Sequence, residues 1–408
     1  MSFTGNQKNS RLNTIYDKAN GAVQVGFPTI TLAANSVVAN SNTDILNIRG
    51  AGFTVTTSTN QRTLTIATNS DLLVSQNSAL MAANNWIVTP GSADATSMNG
   101  IAWSPELGLF VVVGTSGSSV YCASSPDGVI WTRRTLTAAG WKDVCWSPEL
   151  GLFVAVASFA NEIATSPDGI TWTLRTKPVS NPYQDAIWAK ELGLFVVVCG
   201  TGGADDTKQV ATSPDGINWT SRSTPAGYWV GVAWSPELGI LVAVSYTTGT
   251  AMTSPDGITW TLGASNPSAS SVAWSPELGM FVSIGTSIKY SYDGLTWNSA
   301  TPATTGTSGA DAFTIVWVPQ FRAFVATQAL GSPRARISFD GRNWSSLTGM
   351  PTATWANSVW SPELGILVVV SAAGTTGTVA VSRPVGLWGA INTRLTRQQV
   401  MSRISLGV

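Results

Sequence analysis

Residues 145–176 read CWSPELGLFVAVASFANEIATSPDGITWTLRT, and the same pattern recurs along most of the chain. Each copy begins at a tryptophan followed by SPELG or a variant of it, and successive copies start 40 to 46 residues apart. The seven tryptophans are Trp103, Trp146, Trp188, Trp234, Trp274, Trp317 and Trp360. A period of this length is typical of folds that are built from repeated supersecondary units.

One copy of the pattern predicts four short strands, at residues 143–146, 152–157, 162–165 and 171–175. Each run is rich in Val, Ile, Thr and aromatic residues and is bounded by Pro, Gly or Asp. SPELG and SPDG predict turns, because Pro fixes φ and Gly tolerates a positive φ. Four antiparallel strands form a small sheet with two apolar faces, which must stack on neighbouring sheets. Seven copies therefore predict an all-β fold, a seven-bladed β-propeller of four-stranded blades.

A second repeated motif, SPDGITW or a variant, closes six of the copies. It resembles the Asp-box of sialidase-type β-propellers, although Gly follows Asp directly here and the family pattern has one residue between them. In that family the box is a structural turn between the third and fourth strands. The resemblance implies the same structural role, and not glycosidase chemistry, for Asp127, Asp168, Asp215, Asp256, Asp293 and Asp340.

The composition excludes several classes of function. Charged residues make up only 11% of the 408 residues and the formal net charge is zero, so nothing favours binding to nucleic acid. The absence of histidine removes the commonest general base and the commonest transition-metal ligand. Cys122, Cys145 and Cys199 stand in predicted strands, where they are expected to fill the core and not to form disulfides. We expect no cofactor and no metal.

The sequence divides into five parts. Residues 1–27 are polar and predict an arm that orders on a partner, or alternatively a disordered leader. Residues 28–70 alternate apolar and polar positions, with a turn at 58–61, and predict a small β module. Residues 71–83 predict a linker and 84–388 the propeller. The tail, 389–408, contains Arg394, Arg397 and Arg403 and no acidic residue.

The small β module resembles the N-terminal β segments of bacteriophage tail and fibre proteins. A module of two hairpins is marginally stable alone, so it is expected to oligomerise, with a trimer favoured, or to pack on another protein. The resemblance implies attachment to other virion proteins through the N-terminal region.

Two tryptophans compete to close the ring of blades. Trp86 lies 17 residues before Trp103, a spacing that matches the step from a fourth strand to the next first strand. Trp388 lies 28 residues after Trp360, as Trp131 lies 28 residues after Trp103. We favour Trp86, which would pair with the strand that carries residues 379–382, and keep Trp388 as the alternative.

A ligand site is expected at positions that differ between copies, because a residue present in every blade serves the architecture. The position five residues before each first-strand tryptophan varies in this way, and four of its seven occupants are aromatic. These are the candidate ligand-binding residues Trp141, Tyr183, Trp229 and Trp355. Their arrangement loosely resembles that of tectonin-type propeller lectins, with sugar stacking as the expected role. The alternative is that the rings cover the blade junctions as core.

Other irregular positions suggest weaker sites. Asp205 and Asp206, in an insertion of the third copy, could join a hard-cation site, although adjacent acids in such a loop are more often solvated surface. Arg334, Arg336 and Arg342 occur in the sixth copy, but no sialidase-like set of arginines, tyrosine and acids can be assigned.

The sequence thus predicts a non-enzymatic structural protein of a bacteriophage virion, a tail fibre or similar surface appendage. The propeller would be its exposed head and would contact host-surface glycans. Two alternatives remain, a stand-alone propeller lectin and a glycoside hydrolase or lyase of sialidase-like fold. An enzyme would need a pair of non-repeated carboxylates that converge in one cleft.

Overall fold

The computed structural model describes the residues 37–38, 53–57, 63–68, 86–90, 97–116, 119–137, 140–158, 162–200, 203, 205–265, 268–304, 313–328, 333–347, 349–372 and 378–382. The chain divides into two compact units, Met1–Ala79 and Leu80–Val408. The predicted arm, linker and C-terminal tail and the alternative closing residue Trp388 lie outside the described residues.

The first unit contains a small antiparallel sheet of three strands. Its central strand, Thr63–Thr68, pairs with Phe53–Thr57 on one side and with Val37–Val38 on the other. Thr57 stands opposite Leu64, and the turn predicted at 58–61 lies outside the described residues. These three strands lie within residues 28–70, for which the alternating pattern predicts a small β module.

The second unit confirms the predicted seven-bladed β-propeller, because its strands form seven four-stranded antiparallel sheets. The strands of blades one to four are Ser97–Ser104, Leu109–Ser116, Ser119–Ser125, Thr132–Arg133; Trp141–Ser147, Leu152–Ala157, Glu162–Ser166, Thr173–Thr176; Tyr183–Ala189, Leu194–Cys199, Val210–Ser213, Thr220–Arg222; and Trp229–Ser235, Ile240–Ser245, Thr250–Ser254, Thr261–Ser265. Those of blades five to seven are Ala269–Ser275, Met280–Gly285, Ser287–Ser291, Asn298–Thr304; Phe313–Val318, Ala323–Gln328, Ala335–Ser338, Ser345–Leu347; and Trp355–Ser361, Ile366–Ser371, Thr378–Ser382, Trp86–Pro90.

Blade seven is completed by the strand that comes first in the propeller sequence. Trp86–Pro90 pairs antiparallel with Thr378–Ser382, with Trp86 opposite Ser382. The ring is thus closed between the two ends of the repeat region, which confirms the prediction made for Trp86. Closure of this kind removes an unpaired sheet edge that would otherwise invite aggregation.

The first strands of all neighbouring blades contact one another around the ring, so they surround the central axis. Because the strands alternate in direction, both repeated turns of each blade lie at one end of the propeller, which we call the turn end. In blade two these are the turns of Glu149 and Asp168. First strands begin and second strands finish at the opposite end, which we call the mouth end.

The core of the propeller lies between the blades. Seven clusters of buried apolar residues each combine side chains from two neighbouring blades. Within blade two, the fully buried Phe153 packs against Trp146, with ring centroids 4.4 Å apart, and against Trp172 at 6.4 Å. The repeated tryptophans therefore fill the volume between sheets, as the sequence predicts.

Five of the six repeated glutamates of the SPELG turn have a second role that the sequence did not reveal, the exception being Glu277. The indole N–H of Trp146 in blade two donates to the carboxylate of Glu106 in blade one at 2.8 Å. The same bond links four other pairs of neighbouring blades: Trp188 to Glu149, Trp234 to Glu191, Trp274 to Glu237 and Trp103 to Glu363. Blade six carries Gln320 in place of the glutamate. The carboxylates therefore tie neighbouring blades together at the turn end.

The Asp-box carboxylate holds its own turn together. Asp168 Oδ1 accepts hydrogen bonds from the backbone N–H groups of Ile170 at 2.8 Å and Thr171 at 2.7 Å, and from the Ser166 hydroxyl at 3.0 Å. Gly169 has a φ of 67°, a left-handed conformation that favours glycine. The other five box aspartates accept the same set of bonds from their own turns.

Replacement of Asp168 by alanine is expected to lower the free energy of unfolding by roughly 1 kcal/mol, because two backbone donors lose their acceptor at a partly exposed turn. Urea denaturation of the wild type and the Asp168→Ala variant measures this. Ligand binding should be unchanged, since the turn lies at the end opposite the mouth. Loss of binding at unchanged stability would contradict the structural role.

The boxes also predict a loss of stability in acid. Partial burial raises the pKa of Asp215, but donors from Asn218 and the N–H of Ile217 outweigh it and lower the pKa to about 2. A carboxyl whose pKa is depressed in the folded state stabilises the fold above its unfolded pKa of roughly 4, and this contribution disappears as the pH falls towards 2. We expect the melting temperature to fall over this range. The Asp215→Asn variant keeps an acceptor oxygen but cannot titrate, so its melting temperature should fall less than that of the wild type. Equal falls in the two proteins would show that titration of Asp215 does not contribute to the loss of stability.

The three cysteines are free, as expected. Cys122 and Cys199 are buried in blade interfaces, and Cys145 is partly buried. Burial raises the pKa of the Cys122 thiol to about 12. Within the described residues, the helical segments are the three-residue 3₁₀ turns Lys190–Leu192 and Pro319–Phe321, so none of them has the length or the apolar run that a membrane span requires.

Candidate functional site at the mouth of the central channel

A cavity of about 520 Å³ opens on the axis near the mouth end. All seven blades line it, chiefly through the residues that stand three and four places before each first-strand tryptophan. From the first strands these are Asn99, Lys142, Asp143, Gln184, Asp185, Val230, Ser270, Ser271, Thr314, Ala356 and Asn357, and the ends of neighbouring strands and loops add Tyr228, Tyr246, Thr247 and Ala372. Most of these side chains are polar.

A β-bulge in the first strand explains why two successive residues of a blade reach the cavity. In blade two Trp141 stands opposite Ala157 and Asp143 opposite Val156, which leaves Lys142 as the extra residue. The same one-residue shift occurs at this place in every blade except blade six. A bulge interrupts the regular alternation of a strand and re-aims its side chains.

The bulge also corrects the interpretation of the four aromatic candidates. Trp141, Trp229 and Trp355 are 0% exposed and Tyr183 is 1% exposed. Each indole N–H is satisfied by the carbonyl four residues earlier, as in the 3.1 Å bond from Trp229 to Pro225. The side chains one position before the bulge thus point into the blade interface and not towards the channel. The rings are core, which is the alternative interpretation, and they offer no surface to a ligand.

Two carboxylates meet in the cavity wall. The backbone N–H of Ala186 donates to both side chains, to Asp143 Oδ2 at 3.1 Å and to Asp185 Oδ1 at 3.0 Å, so the two carboxylates lie side by side. Asp143 also accepts from the Asn357 amide at 3.1 Å. Asp185 accepts from the backbone N–H of Val232 at 2.8 Å. These contacts form one bonded row that runs from blade seven through blades two and three to blade four.

Blade one contributes to this row through a glycine, Gly100, whose lack of a side chain leaves space for Asp143. A Cβ on Gly100 would lie 2.4 Å from the Asp143 Cα and 2.7 Å from its Oδ1. A side chain at residue 100 would therefore clash with Asp143. Glycine in this position lets Asn357 of blade seven reach past blade one to blade two.

The cavity wall contains two acidic groups and one basic group, namely Asp143, Asp185 and Lys142. Burial raises the pKa of Asp143, and the adjacent Asp185 raises it further. Burial also raises the pKa of Asp185. Because the two carboxyls interact, they titrate as a coupled pair. Lys142 stands beside it, its pKa lowered by desolvation and held up by both acids, and its ammonium makes no hydrogen bond or ion pair with the described residues.

Blade four adds two tyrosines to the rim of the cavity. Their ring centroids are 6.4 Å apart, and the N–H of Tyr246 donates to the carbonyl of Tyr228 at 2.9 Å. Four other blades make the same backbone bond with non-aromatic residues, namely Ser158 to Gly140, Gly200 to Pro182, Thr286 to Ser268 and Ala372 to Thr354. The tyrosine rings are therefore not required by the blade.

The remaining sequence candidates do not assemble a site. Asp205 accepts from the N–H and hydroxyl of Thr207 at 2.9 and 2.6 Å and lies 3.6 Å from Lys208, so its own loop occupies it. No group of three or more potential metal-ligating side chains occurs among the described residues. Arg334 precedes the third strand of blade six, whereas Arg342 follows it and contacts Tyr292. These arginines do not converge.

Fold and cavity together define a seven-bladed β-propeller with a polar axial pocket. Neither the protein-family models nor the curated proteins contain a match to the chain. Among solved structures it is similar to a streptogramin B lyase, with a TM-score of 0.59 and 10% identity over 72% of this chain and 97% of that chain. A catalytically inactive histidine-to-alanine variant of virginiamycin B lyase from Staphylococcus aureus with quinupristin gives the same TM-score at 10% identity, covering 73% and 98%. A mitotic checkpoint complex gives 0.53 at 13% identity, covering 74% and 92%. Likeness at this level shows the fold alone.

Proposed function

We propose that the protein is a non-enzymatic structural component of a bacteriophage virion, a tail fibre or similar surface appendage. The N-terminal region would attach it to other virion proteins, most simply as a trimer, and the propeller would be its exposed head. The contact with host-surface glycans would take place at the axial cavity, since the four aromatic rings first considered for it are buried.

The observation that carries the non-enzymatic role is the geometry of the acid pair. Asp143 and Asp185 are the converging, non-repeated carboxylates that an enzyme would need. They share one backbone donor, the N–H of Ala186, at 3.1 and 3.0 Å, whereas the carboxyls of glycosidases stand about 5 Å or 6.5–9.5 Å apart on either side of the scissile bond. Their oxygens are engaged by Ala186, Val232 and Asn357. The pair thus serves best as a tie between blades.

The N-terminal attachment is supported by the closure of the ring. The propeller uses the chain only from Trp86 onwards, so the preceding sequence, with its three-stranded sheet, is not needed to complete a blade. That part of the chain is left for contacts with other copies or with other proteins.

The attachment proposal is tested on the full-length chain and on intact particles. Sedimentation equilibrium should give the mass of a trimer, and antibodies against the propeller should decorate tail appendages in negative-stain electron microscopy. A monomer that is absent from particles would overturn the virion role and leave the stand-alone lectin as the better description.

A hydrolase or lyase is the alternative that the acid pair itself raises. The lyase similar in fold loses activity when a histidine is replaced, and this chain contains no histidine. Incubation with aryl glycosides and with extended polysaccharides should therefore release no product. Turnover that disappears in Asp185→Asn but persists in a turn-end variant such as Asp256→Asn would establish the enzyme instead.

A further inference from the structure

We propose that the axial cavity is a binding site for a neutral, hydroxyl-rich ligand, a terminal sugar unit that enters from the mouth end and rests against Tyr228 and Tyr246. This inference rests on the proposed function in one respect, the exposure of the mouth end. It names the contact residues and narrows the ligand from a host-surface glycan to a neutral terminal sugar unit.

The first support is that the tyrosines are an addition to a blade that does not need them. Five blades make the same backbone bond at the ends of their first two strands, and only blade four places aromatic rings there. Both rings are partly exposed and line the cavity. Partly exposed aromatic faces beside a polar pocket suit the C–H faces and hydroxyl groups of a sugar.

The second support is that the neighbouring blade makes room for one of these rings. A Cβ on Gly200, at the end of the second strand of blade three, would lie 2.8 Å from the ring of Tyr228. A larger residue there would displace the ring from its place. The orientation of Tyr228 is therefore fixed by packing, as a preorganised contact surface requires.

The third support is a set of hydrogen-bonding groups that lack protein partners among the described residues. Ser270 Oγ lines the cavity, is buried and has no hydrogen-bond partner. The Lys142 ammonium and the hydroxyls of Tyr228 and Tyr246 likewise make no bond to a described residue. Buried polar groups are normally satisfied, so the unpaired Ser270 Oγ beside a polar cavity indicates water or a ligand hydroxyl. Lys142 is exposed and both tyrosines are partly exposed, so their polar groups are accessible to a ligand.

The fourth support is the charge of the wall. Asp143 and Asp185 line the cavity together with Lys142, so neither an anion nor a cation meets charged groups of the opposite sign alone. The volume of about 520 Å³ lies within the range of roughly 300–1,000 Å³ typical of small-molecule sites. A neutral polyol matches size, charge and hydrogen-bonding groups together.

The test measures binding of defined sugars by the full-length protein. Saturation-transfer NMR and calorimetry with glucose, galactose, mannose and N-acetylglucosamine, followed by an array of oligosaccharides, supply the neutral probes. N-acetylneuraminic acid, inorganic phosphate and spermidine supply the charged ones. We expect at least one neutral sugar to bind and the charged probes to bind at least tenfold more weakly.

Four variants, one of them a control, assign the binding to the cavity. Tyr228→Ala and Tyr246→Ala should each weaken sugar binding at least tenfold at an unchanged melting temperature. Tyr292→Ala, a matched change of an exposed tyrosine at the turn end, should leave it unchanged. Tyr246→Phe keeps the ring and removes the hydroxyl, so it should lose less than Tyr246→Ala if stacking contributes.

The inference is overturned if no neutral sugar binds at millimolar concentration, if only a charged probe binds, or if Tyr228→Ala and Tyr246→Ala bind as the wild type does. None of these results bears on the mass of the oligomer or on antibody labelling of particles. Failure of the sugar site can therefore be distinguished from failure of the virion assignment.

Discussion

A chain that lacks residues 1–90 is expected to aggregate, whereas a chain that lacks only residues 1–79 is expected to stay soluble and to unfold cooperatively. The first deletion removes Trp86–Pro90, the fourth strand of blade seven, and so exposes the backbone edge of Thr378–Ser382. It also removes Trp86, which packs in the cluster between blades six and seven. The second deletion removes the whole first unit but leaves the ring closed.

The two deletions form a matched pair, because they differ by eleven residues of which five form the closing strand. Size-exclusion chromatography and thermal unfolding, monitored by tryptophan fluorescence, separate the outcomes. A soluble chain without residues 1–90 that melts as the wild type does would show that another segment closes the ring. Aggregation of both chains would show that the first unit is needed for a soluble propeller.

The architecture could be predicted from the sequence because its determinants are local and repeated. The tryptophan spacing, Pro148 and Gly151 in one turn and Asp168 in the other specify the strands of a blade, and seven copies leave few ways to bury two-faced sheets. Closure by Trp86 was also predictable, since the residue stands in the same phase as the other fourth strands. The predicted strand bounds were short by one or two residues at several ends, as with 143–146 against Trp141–Ser147.

The rule used to predict the candidate site, that its residues occupy positions that vary between blades, fits the cavity. The residues chosen with it stand one or two positions too early in the first strand. Positions that vary between blades do line the cavity, but they stand three and four places before each tryptophan and not five. A bulge causes the difference, and no motif in the sequence marks it. The carboxylates Asp143 and Asp185 and the pair Tyr228 and Tyr246 each break the repeat, so the comparison of copies could have found them. Their convergence depends on the ring itself.

For the glutamates of the SPELG turns, the structural role could be predicted from the sequence, but the bonding partner could not. Their presence in six of the seven copies correctly assigned them to the architecture, yet the tryptophan partner of five of them lies in the next blade. The tryptophan and the acceptor recur together within every such copy, so the sequence contains both groups. Only the stacking of blades shows that the bond joins one copy to the next.

Replacement of Trp229 by alanine is expected to destabilise the propeller by about 3–5 kcal/mol, the cost typical of removing a large buried aromatic side chain. The indole is 0% exposed and packs in the cluster between blades three and four. The chain is also shaped around it, because a Cβ on Gly227 would lie 2.7 Å from the ring. Blade five carries Ala269 at the equivalent position, so the backbone accepts alanine there and the loss arises from the cavity that the ring leaves.

Urea denaturation of the wild type, Trp229→Ala and Trp229→Phe measures this loss, and the phenylalanine variant should recover part of it. Sugar affinity, measured on the fraction that remains folded, should be close to that of the wild type, because the ring faces a blade interface and not the channel. An Ala variant with unchanged stability and lost binding would return Trp229 to the ligand site. Of these two adjacent residues, Trp229 should therefore control the stability of the propeller, and Tyr228 should control its affinity for sugar.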